Sequence, residues 1–357
     1  ISIAVLLAGI LMTTMRYFLS VLIFLPILSF AQLGGKTGYS FLDVPVAARQ
    51  ASVGGYNVSI LDRDVAMGYS NPALLNDSID KNISFTYQPF YADIKKSTLF
   101  GARRLKDDKG VVSVGINYFS YGKIDQMDAT GTSTGVVFNP QEFALVGGYA
   151  KSLGPFSMGV NAKMVYSSMA GYNASAFMVD FGTLYKHPTQ QLTVGLVFKN
   201  VGFNLNNYVK GDAVNLPFDI QLGATYKPEH MPLRFSITTH HLYKFDIAYN
   251  DPAINVKVNI DGTVSSIEST FSDKLLRHFV IGGEFLFTKN VQARFGYNFL
   301  MRRELKFQDR AAAAGLSWGF MIRVKKFDIE FTRAYYSIKG GTSFFTLGLN
   351  MHEWKKK

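Results

Sequence analysis

The chain has 357 residues, no cysteine and a formal charge of +11. The lack of cysteine excludes a disulfide-stapled scaffold. Charged residues make up 18% of the chain while aromatic residues reach 14%, whereas ordinary soluble domains are about 25% charged. This composition is typical of a protein whose outer surface meets lipid. The basic pairs are scattered and accompany no binding motif, so they do not indicate nucleic-acid binding.

The first 31 residues indicate export. Met15 and Arg16 form a short basic start, an apolar run follows, and Ala31 supplies a small-residue cleavage site. We interpret Met15 as the true start and residues 1–14 as upstream sequence, and we expect cleavage after Ala31. One long membrane helix over residues 1–30 is the alternative, but Arg16 at its centre would cost about 2.5–3.5 kcal/mol.

Beyond Ala31 no apolar run approaches the roughly 18 residues of a spanning helix, but apolar and polar residues alternate at period two. Phe295 and Tyr297 share one face of their segment and oppose Arg294, and Leu222 opposes Gln221 in another. Successive strand residues point to opposite faces, so each segment predicts a strand with one apolar face and one face of polar residues or glycine.

Fourteen such segments occur. They are 82–90, 94–104, 110–121, 140–151, 156–167, 174–186, 191–200, 216–227, 232–242, 278–288, 291–300, 312–323, 327–336 and 342–351. An even number of strands near ten residues long is typical of bacterial outer-membrane barrels. We therefore predict an all-β fold, a transmembrane antiparallel barrel of about fourteen strands over residues 81–354. Segment 94–104 alternates poorly.

Short and long connections alternate along the chain. The longer ones are 122–139, 168–173, 201–215, 243–277 and 301–311. Outer-membrane barrels have short periplasmic turns and longer outside loops, so we expect both termini in the periplasm. A soluble β-sandwich or soluble barrel would alternate with inside and outside reversed, but the long strands, the glycine on the polar faces and the export signal disfavour it.

The predicted inward faces carry isolated charges. They are Lys163, Asp180, Asp219, Arg234, Glu284, Arg294, Arg323 and Glu330. Such side chains could line a route for a solute, but charges inside a barrel more often pair with one another or with a plug.

Residues 32–80 lack the period-two pattern and are rich in Ala and Gly. Short helical or turn pieces are expected at 44–51, 62–67 and 71–75. The segment has too many apolar residues to stay in solvent, so we predict a hatch that plugs the barrel.

The motifs of this segment resemble a known family. The run 39–55, with Ala-Arg-Gln-Ala and Gly54-Gly55, and the Ser-Asn-Pro-Ala-Leu-Leu of 70–75 are similar to the hatch of FadL-like outer-membrane barrels. More narrowly they resemble the PorV/PorQ group of the type IX secretion system of Bacteroidetes, and Phe41-Leu42-Asp43-Val44-Pro45 with the chain length favours its PorQ type. The hatch motif comprises Arg49, Gly54, Gly55, Asn71 and Pro72.

The resemblance implies a non-enzymatic barrel without cofactors that contacts outer-membrane lipids and lipopolysaccharide. It implies a surface partner resembling PorZ and, through it, the PorU/PorV complex that attaches secreted cargo to the cell surface. The end of connection 243–277 is amphipathic and suits docking of such a partner through Ile267, Phe271, Leu275 and Leu276. A FadL-like transporter of hydrophobic small molecules, with the hatch as gate, is the alternative.

Signals for an enzyme are weak. Ser-x-x-Lys occurs at 78–81 and 120–123 and Lys-Thr-Gly at 36–38, all fragments of a serine acyl-enzyme signature, but their order is wrong and Ser-Asp-Asn is missing. His240 and His241 are adjacent in a predicted strand and would face opposite sides. We therefore expect neither a serine hydrolase nor a metal site.

Overall fold

The structure is a computed structural model that describes residues 37–212, 214–248, 256–258, 264–266, 269–305, 313–337 and 340–351. The predicted signal peptide lies outside these residues. No helix among the described residues is long and apolar enough to cross a membrane.

Antiparallel strands dominate the chain. In chain order they are β1 (Asn82–Pro89), β2 (Lys95–Arg104), β3 (Val111–Ser120), β4 (Ile124–Met127), β5 (Ser133–Phe138), β6 (Gln141–Leu153), β7 (Phe156–Met169), β8 (Tyr172–Lys186), β9 (Leu192–Asn206), β10 (Asp219–Tyr226), β11 (Leu233–Thr239), β12 (Val256–Val258), β13 (Val264–Ser266), β14 (Phe279–Leu286), β15 (Val291–Asn298), β16 (Leu316–Val324), β17 (Phe327–Ser337) and β18 (Gly340–Asn350).

Fourteen of these strands close into one barrel, in which β1 pairs with β18 and the other neighbours follow chain order. The β4–β5 and β12–β13 pairs are separate hairpins within long connections. The predicted all-β, fourteen-strand barrel is confirmed. Closure pairs every strand edge, and a chain that crosses lipid by strands requires this because hydrocarbon offers the backbone no hydrogen-bond partners.

The side chains alternate between the two faces of the barrel as predicted. Phe295 and Leu222 are exposed on the outside, whereas Arg294 and Gln221 are buried in the lumen. Exposed Phe, Leu, Ile and Trp continue around the outer face. This apolar belt is what lipid requires of a transmembrane barrel.

The hatch consists of short helical turns. They are a 3-10 turn (Ser40–Leu42), α1 (Ala48–Ser52), α2 (Met67–Ser70) and 3-10 turns at Pro72–Leu74 and Asp77–Ile79. The piece expected as helix or turn over 62–67 consists of bends and a turn as far as Ala66, and α2 begins at Met67. In this piece the Asp62 and Asp64 carboxylates accept the backbone N–H groups of Arg63 and Ala66, and such local bonds favour turns over helix.

The hatch enters the lumen at the long-connection end and leaves it at the short-turn end. Thr37 pairs with Asn215 in the connection between β9 and β10, whereas Asn82 pairs with Asn350 at the other end of the barrel. The start of β1 and the end of β18 thus lie at the same end of the barrel, as an even number of strands requires. Residue 37, however, lies at the end opposite to the one expected for the N-terminus. The side of the membrane that each end faces stays a prediction.

Candidate functional site

The hatch packs against the barrel wall where the wall carries glycine. A Cβ atom at Gly296 would lie 2.1 Å from the backbone nitrogen of Gly54, and one at Gly159 would lie 2.6 Å from the carbonyl carbon of Pro72. Neither position has room for a side chain. The glycines on the inward faces therefore allow two backbones to approach closely, which explains why glycine occurs on those faces.

The glycine pair of the hatch motif ends helix α1. Gly54 and Gly55 have φ values of 96° and 91°, a left-handed conformation that glycine adopts without steric cost. Their N–H groups donate to the carbonyl oxygens of Ala51 and Gln50, and the Gln50 side-chain amide donates to Gly55 O at 2.9 Å. This closed turn fixes the direction in which the hatch leaves α1.

Asn71 and Pro72 anchor the second half of the hatch. The Asn71 Oδ1 atom accepts the N–H of Ala73 at 3.0 Å, so Asn71 caps the 3-10 turn that begins at Pro72. Its amide nitrogen donates to Val58 O at 2.8 Å within the hatch and to Thr183 O at 3.2 Å on the wall. One buried side chain thereby joins two hatch segments to β8.

Arg49 connects α1 to buried acids. Its Nη2 atom lies 2.8 Å from Asp62 Oδ2 in the hatch and 3.0 Å from Glu284 Oε1 on β14. Burial raises the pKa of Asp62, but the guanidinium groups of Arg49 and Arg234 outweigh this effect and hold the pKa below its usual range. The hatch carboxylate therefore stays charged beside its two cations.

The ion pairs continue along the wall. Arg234 on β11 lies 3.2 Å from Asp62 and 3.0 Å from Glu284. Arg294 on β15 lies 3.1 Å from Glu284 and 2.9 Å from Glu330 on β17. We name the three arginines and three acids the Arg49 cluster: Arg49, Asp62, Arg234, Glu284, Arg294 and Glu330. The formal charges in the cluster balance, which a buried ionic group requires.

A second polar group ties α2 to the other side of the wall. Lys163 Nζ lies 2.7 Å from Asp180 Oδ2 and 2.8 Å from Asn200 Oδ1, and 4.7 Å from the centre of the Tyr69 ring. A register shift between β8 and β9 turns both Lys199 and Asn200 inward. The inward charges Lys163 and Asp180 thus pair with each other and support the hatch, as was expected of charges inside a barrel.

Lys96 and Thr98 on β2 hold the first hatch segment. The Lys96 ammonium group is buried and donates to the carbonyl oxygens of Val44 at 2.5 Å and Pro45 at 3.2 Å. Thr98 Oγ1 donates to Val46 O at 2.6 Å. This segment is therefore fixed by side chains that grip its backbone.

One side of the lumen wall carries more apolar side chains than the other. Strands β2 to β8 turn a set of apolar side chains inward, among them Phe100, Phe119, Val146, Val165 and Met178. The hatch covers them with Tyr39, Phe41, Leu42, Tyr69, Leu75 and Ile79. Strands β10, β11 and β14 to β18 instead turn mainly Ser, Thr, Gln and charged residues inward. Buried polar residues such as Lys96, Lys163 and Asp180 also occur on the first side. Barrel interiors are typically polar, so the inward apolar residues of β2 to β8, here named the apolar half-wall, are a specific feature of this lumen.

Two cavities open at the short-turn end. One of about 500 Å³ lies between the hatch and the β8–β9 turn, and one of about 720 Å³ lies beside the β14–β15 turn. Both are lined by Asp62, Lys227 and Arg234. The cavities therefore reach from the mouth of the barrel to the Arg49 cluster.

His240 and His241 do not face opposite sides, contrary to expectation. Strand β11 ends at Thr239, and His241 has a φ of 56°, so the alternation rule no longer applies. The two Nδ1 atoms lie 2.6 Å apart, and His240 stacks on Tyr56 with ring centres 4.2 Å apart. Among the described residues no group of three or more His, Cys, Asp or Glu side chains is placed to hold a metal ion.

The serine tetrads do not meet. Ser78 is exposed in the 3-10 turn that precedes β1, and Ser120 ends β3 at the long-connection end. Lys36 of the Lys-Thr-Gly triplet lies outside the described residues. The structure thus brings no acyl-enzyme constellation together from these motifs.

The candidate docking residues lie on helix α3 (Phe271–Leu276), where Phe271, Leu275 and Leu276 are exposed. The fourth, Ile267, lies outside the described residues. The Phe271 ring lies 5.3 Å from that of Phe245. Helix α3 therefore presents three apolar side chains at the long-connection end, next to an exposed aromatic residue.

The sequence interpretation missed the apolar half-wall and the lysines that line the cavities. The available signal for the apolar half-wall was the poor alternation in segment 94–104. There Phe100 points inward and Ser97 points outward, which is the reverse of an apolar outer and polar inner face. The available signal for the lysines that line the cavities was the recurrence of lysine at successive short turns, for example Lys227 and Lys289.

Comparison with known proteins bears on the fold. No protein-family model and no curated protein matches the chain. The toluene transporter TbuX of Ralstonia pickettii is similar in structure, with a TM-score of 0.50 at 10% identity over 86% of this chain and 98% of that one. The TodX monoaromatic hydrocarbon channel, in the form of a deltaS2 mutant, has a TM-score of 0.48 at 12% identity over 85% of this chain and 96% of that one.

The chain has the fold of FadL-type outer-membrane barrels. This fold and the apolar outer belt place the protein in an outer membrane.

Proposed function

We propose that this barrel carries hydrophobic small molecules across the outer membrane and that residues 37–46 of the hatch act as its gate. The observation that carries the proposal is the apolar half-wall. A lumen that conducted only polar solutes would not need Phe100, Phe119 and Met178 on its inner face. A hydrophobic solute gains free energy when it leaves water and contacts such an apolar surface.

The gate is assigned to residues 37–46 because they cover this wall at the long-connection end. Gly38 donates its N–H to Asn215 O at 2.9 Å, and Lys96 and Thr98 hold the other end of the segment. These hydrogen bonds and the burial of Tyr39, Phe41 and Leu42 against the wall keep the segment in place. TbuX, which has the same fold, is described as a toluene transporter, and toluene is therefore the first substrate to test.

A reversible cross-link tests the gate. The native chain has no cysteine, and a Cβ atom at Gly38 would lie 3.5 Å from the Cβ atom of Val214, within the roughly 3.5–4.5 Å that a disulfide needs. We expect Gly38→Cys with Val214→Cys to abolish uptake of radiolabelled toluene under oxidising conditions and a reductant to restore it. The single Val214→Cys variant, which introduces no such contact at Gly38, should transport like the parent protein under both conditions. Uptake that survives oxidation of the Gly38–Val214 pair would refute the gate, and a parent protein that takes up no more toluene than empty membranes would refute transport.

Anchoring of a surface partner is the second candidate function, favoured by the exposed apolar residues of α3. The resemblance to the PorV/PorQ group would make this partner PorZ-like and the complex one of type IX secretion. Replacing Phe271, Leu275 and Leu276 by serine should then release a co-purifying surface protein and leave toluene uptake unchanged. Purification of the parent barrel without any such partner would count against anchoring.

A further inference from the structure

We name the two larger cavities at the short-turn end the basic mouth. A smaller cavity at that end is lined by Asp64, Asp328 and Glu330 and is not part of it. The linings of the two cavities together contain four lysines and three arginines but only one carboxylate, Asp62. Asp62 is already paired with Arg49 and Arg234, and Arg323 with Asp328. Within the described part of the chain none of the four lysines forms an ion pair: Lys186, Lys227, Lys289 and Lys325.

These lysines follow one another around the rim. They lie on or beside the β8–β9, β10–β11, β14–β15 and β16–β17 turns, which join consecutive strands of the barrel. Neighbouring strands are about 4.7–4.9 Å apart, so successive turns are separated by roughly 10 Å. An extended peptide in the polyproline II conformation has three residues per turn and advances about 3.1 Å per residue. Its side chains three residues apart therefore lie on one side at a separation of roughly 9 Å, which matches this spacing.

We infer that this basic mouth binds an extended acidic peptide segment of a partner protein, with an acidic side chain near every third residue. This inference goes beyond transport and does not depend on it. In the orientation predicted from the connections, the partner approaches from the periplasm.

The position of the lysines favours a peptide over a lipid phosphate. The lysines surround cavities that open into the lumen, and both cavities are also lined by Arg234. Lipid head groups, in contrast, lie outside the barrel. Cavities of about 500 and 720 Å³ also exceed what one phosphate group fills.

Fluorescence anisotropy of labelled peptides on the purified full chain in neutral detergent tests the inference. We expect a peptide with glutamate at every third position to bind, and the same peptide with glutamine to bind at least about tenfold more weakly, which corresponds to roughly 1.4 kcal/mol. Raising the salt concentration should weaken binding of the glutamate peptide, since exposed charges are screened. Equal binding of both peptides would overturn the inference.

Two matched triple variants locate the site. Lys227→Gln, Lys289→Gln and Lys325→Gln together should reduce affinity for the glutamate peptide at least about tenfold, or roughly 1.4 kcal/mol. The control replaces three lysines of the same barrel end that line neither cavity: Lys106, Lys109 and Lys151. It removes the same charge and should leave affinity unchanged.

Equal loss in both triple variants would reduce the effect to net charge and overturn the assigned site. If the cavity variant binds the peptide normally but loses affinity for phosphatidylglycerol vesicles, the ligand is a lipid and the peptide assignment is wrong. The shift in gel mobility on boiling, compared with the parent, verifies that each variant forms the barrel.

Discussion

Replacement of Arg49 by methionine tests whether the Arg49 cluster holds the hatch in the lumen. Methionine keeps much of the apolar stem but removes the 2.8 Å contact with Asp62 and the 3.0 Å contact with Glu284. Breaking a buried ion pair costs about 3–5 kcal/mol because the remaining partner is buried without its counter-charge. Since Arg234 and Arg294 stay beside Glu284, we expect the lower value, about 3 kcal/mol.

Hydrogen exchange of the purified protein in detergent measures this loss. The amides that α1 protects, such as those of Ala51 and Gly55, should exchange about 150-fold faster, since every 1.4 kcal/mol corresponds to a factor of ten. The amides of β7 and β8, which do not touch Arg49, serve as the internal reference and should keep their rates. Adding Glu284→Gln to the variant restores charge balance and should recover part of the protection.

A matched control separates hatch docking from general loss of an ion pair. Arg323 pairs with Asp328 within the wall and is partly exposed. Such pairs contribute about 0–1 kcal/mol, so Arg323→Met should leave α1 protected. If Arg49→Met accelerated exchange in β14 and β15 as much as in α1, the cluster would stabilise the wall rather than the hatch.

Two further substitutions test the faces of the barrel. Phe295→Arg, on the outside in the middle of β15, should destabilise assembly by about 2–4 kcal/mol, whereas Phe287→Arg, beyond the end of β14, should cost about 0–1 kcal/mol; equal urea resistance of the two would contradict the lipid-facing assignment. Gly296→Ala places a Cβ atom 2.1 Å from Gly54 N and should cost about 1–3 kcal/mol by overpacking, while Gly283→Ala, with open space around its Cβ, should change nothing. Protease sensitivity of the hatch distinguishes these two variants.

The barrel strands could be predicted because lipid and lumen impose opposite requirements on successive residues. Strand β15 follows this rule, with exposed Phe295 beside buried Arg294. Strand β2 does not, since Phe100 and Lys96 share its inward face. The lumen is filled there by the apolar hatch, and local sequence does not reveal what occupies a lumen.

The contacts of the hatch could not be predicted because they depend on three-dimensional register. Arg49 and Glu284 were both identified, yet they are separated by 235 positions, and no local pattern states that they meet. The close approach of Gly54 to Gly296 has the same origin. The two hairpins within long connections also escaped prediction, since strands of three to six residues are too short to show a strong alternation.

The path of the hatch has a consequence for the order in which the protein is assembled. The hatch precedes the first strand but is held by late ones, because Ala48 bonds to Thr332 and Thr346, and Ser52 to Ser317. The C-terminal strands must therefore be in place before α1 can dock. Contacts of high sequence separation form slowly, so docking of α1 belongs to the last steps of assembly, and a variant that loosens the hatch should delay those steps.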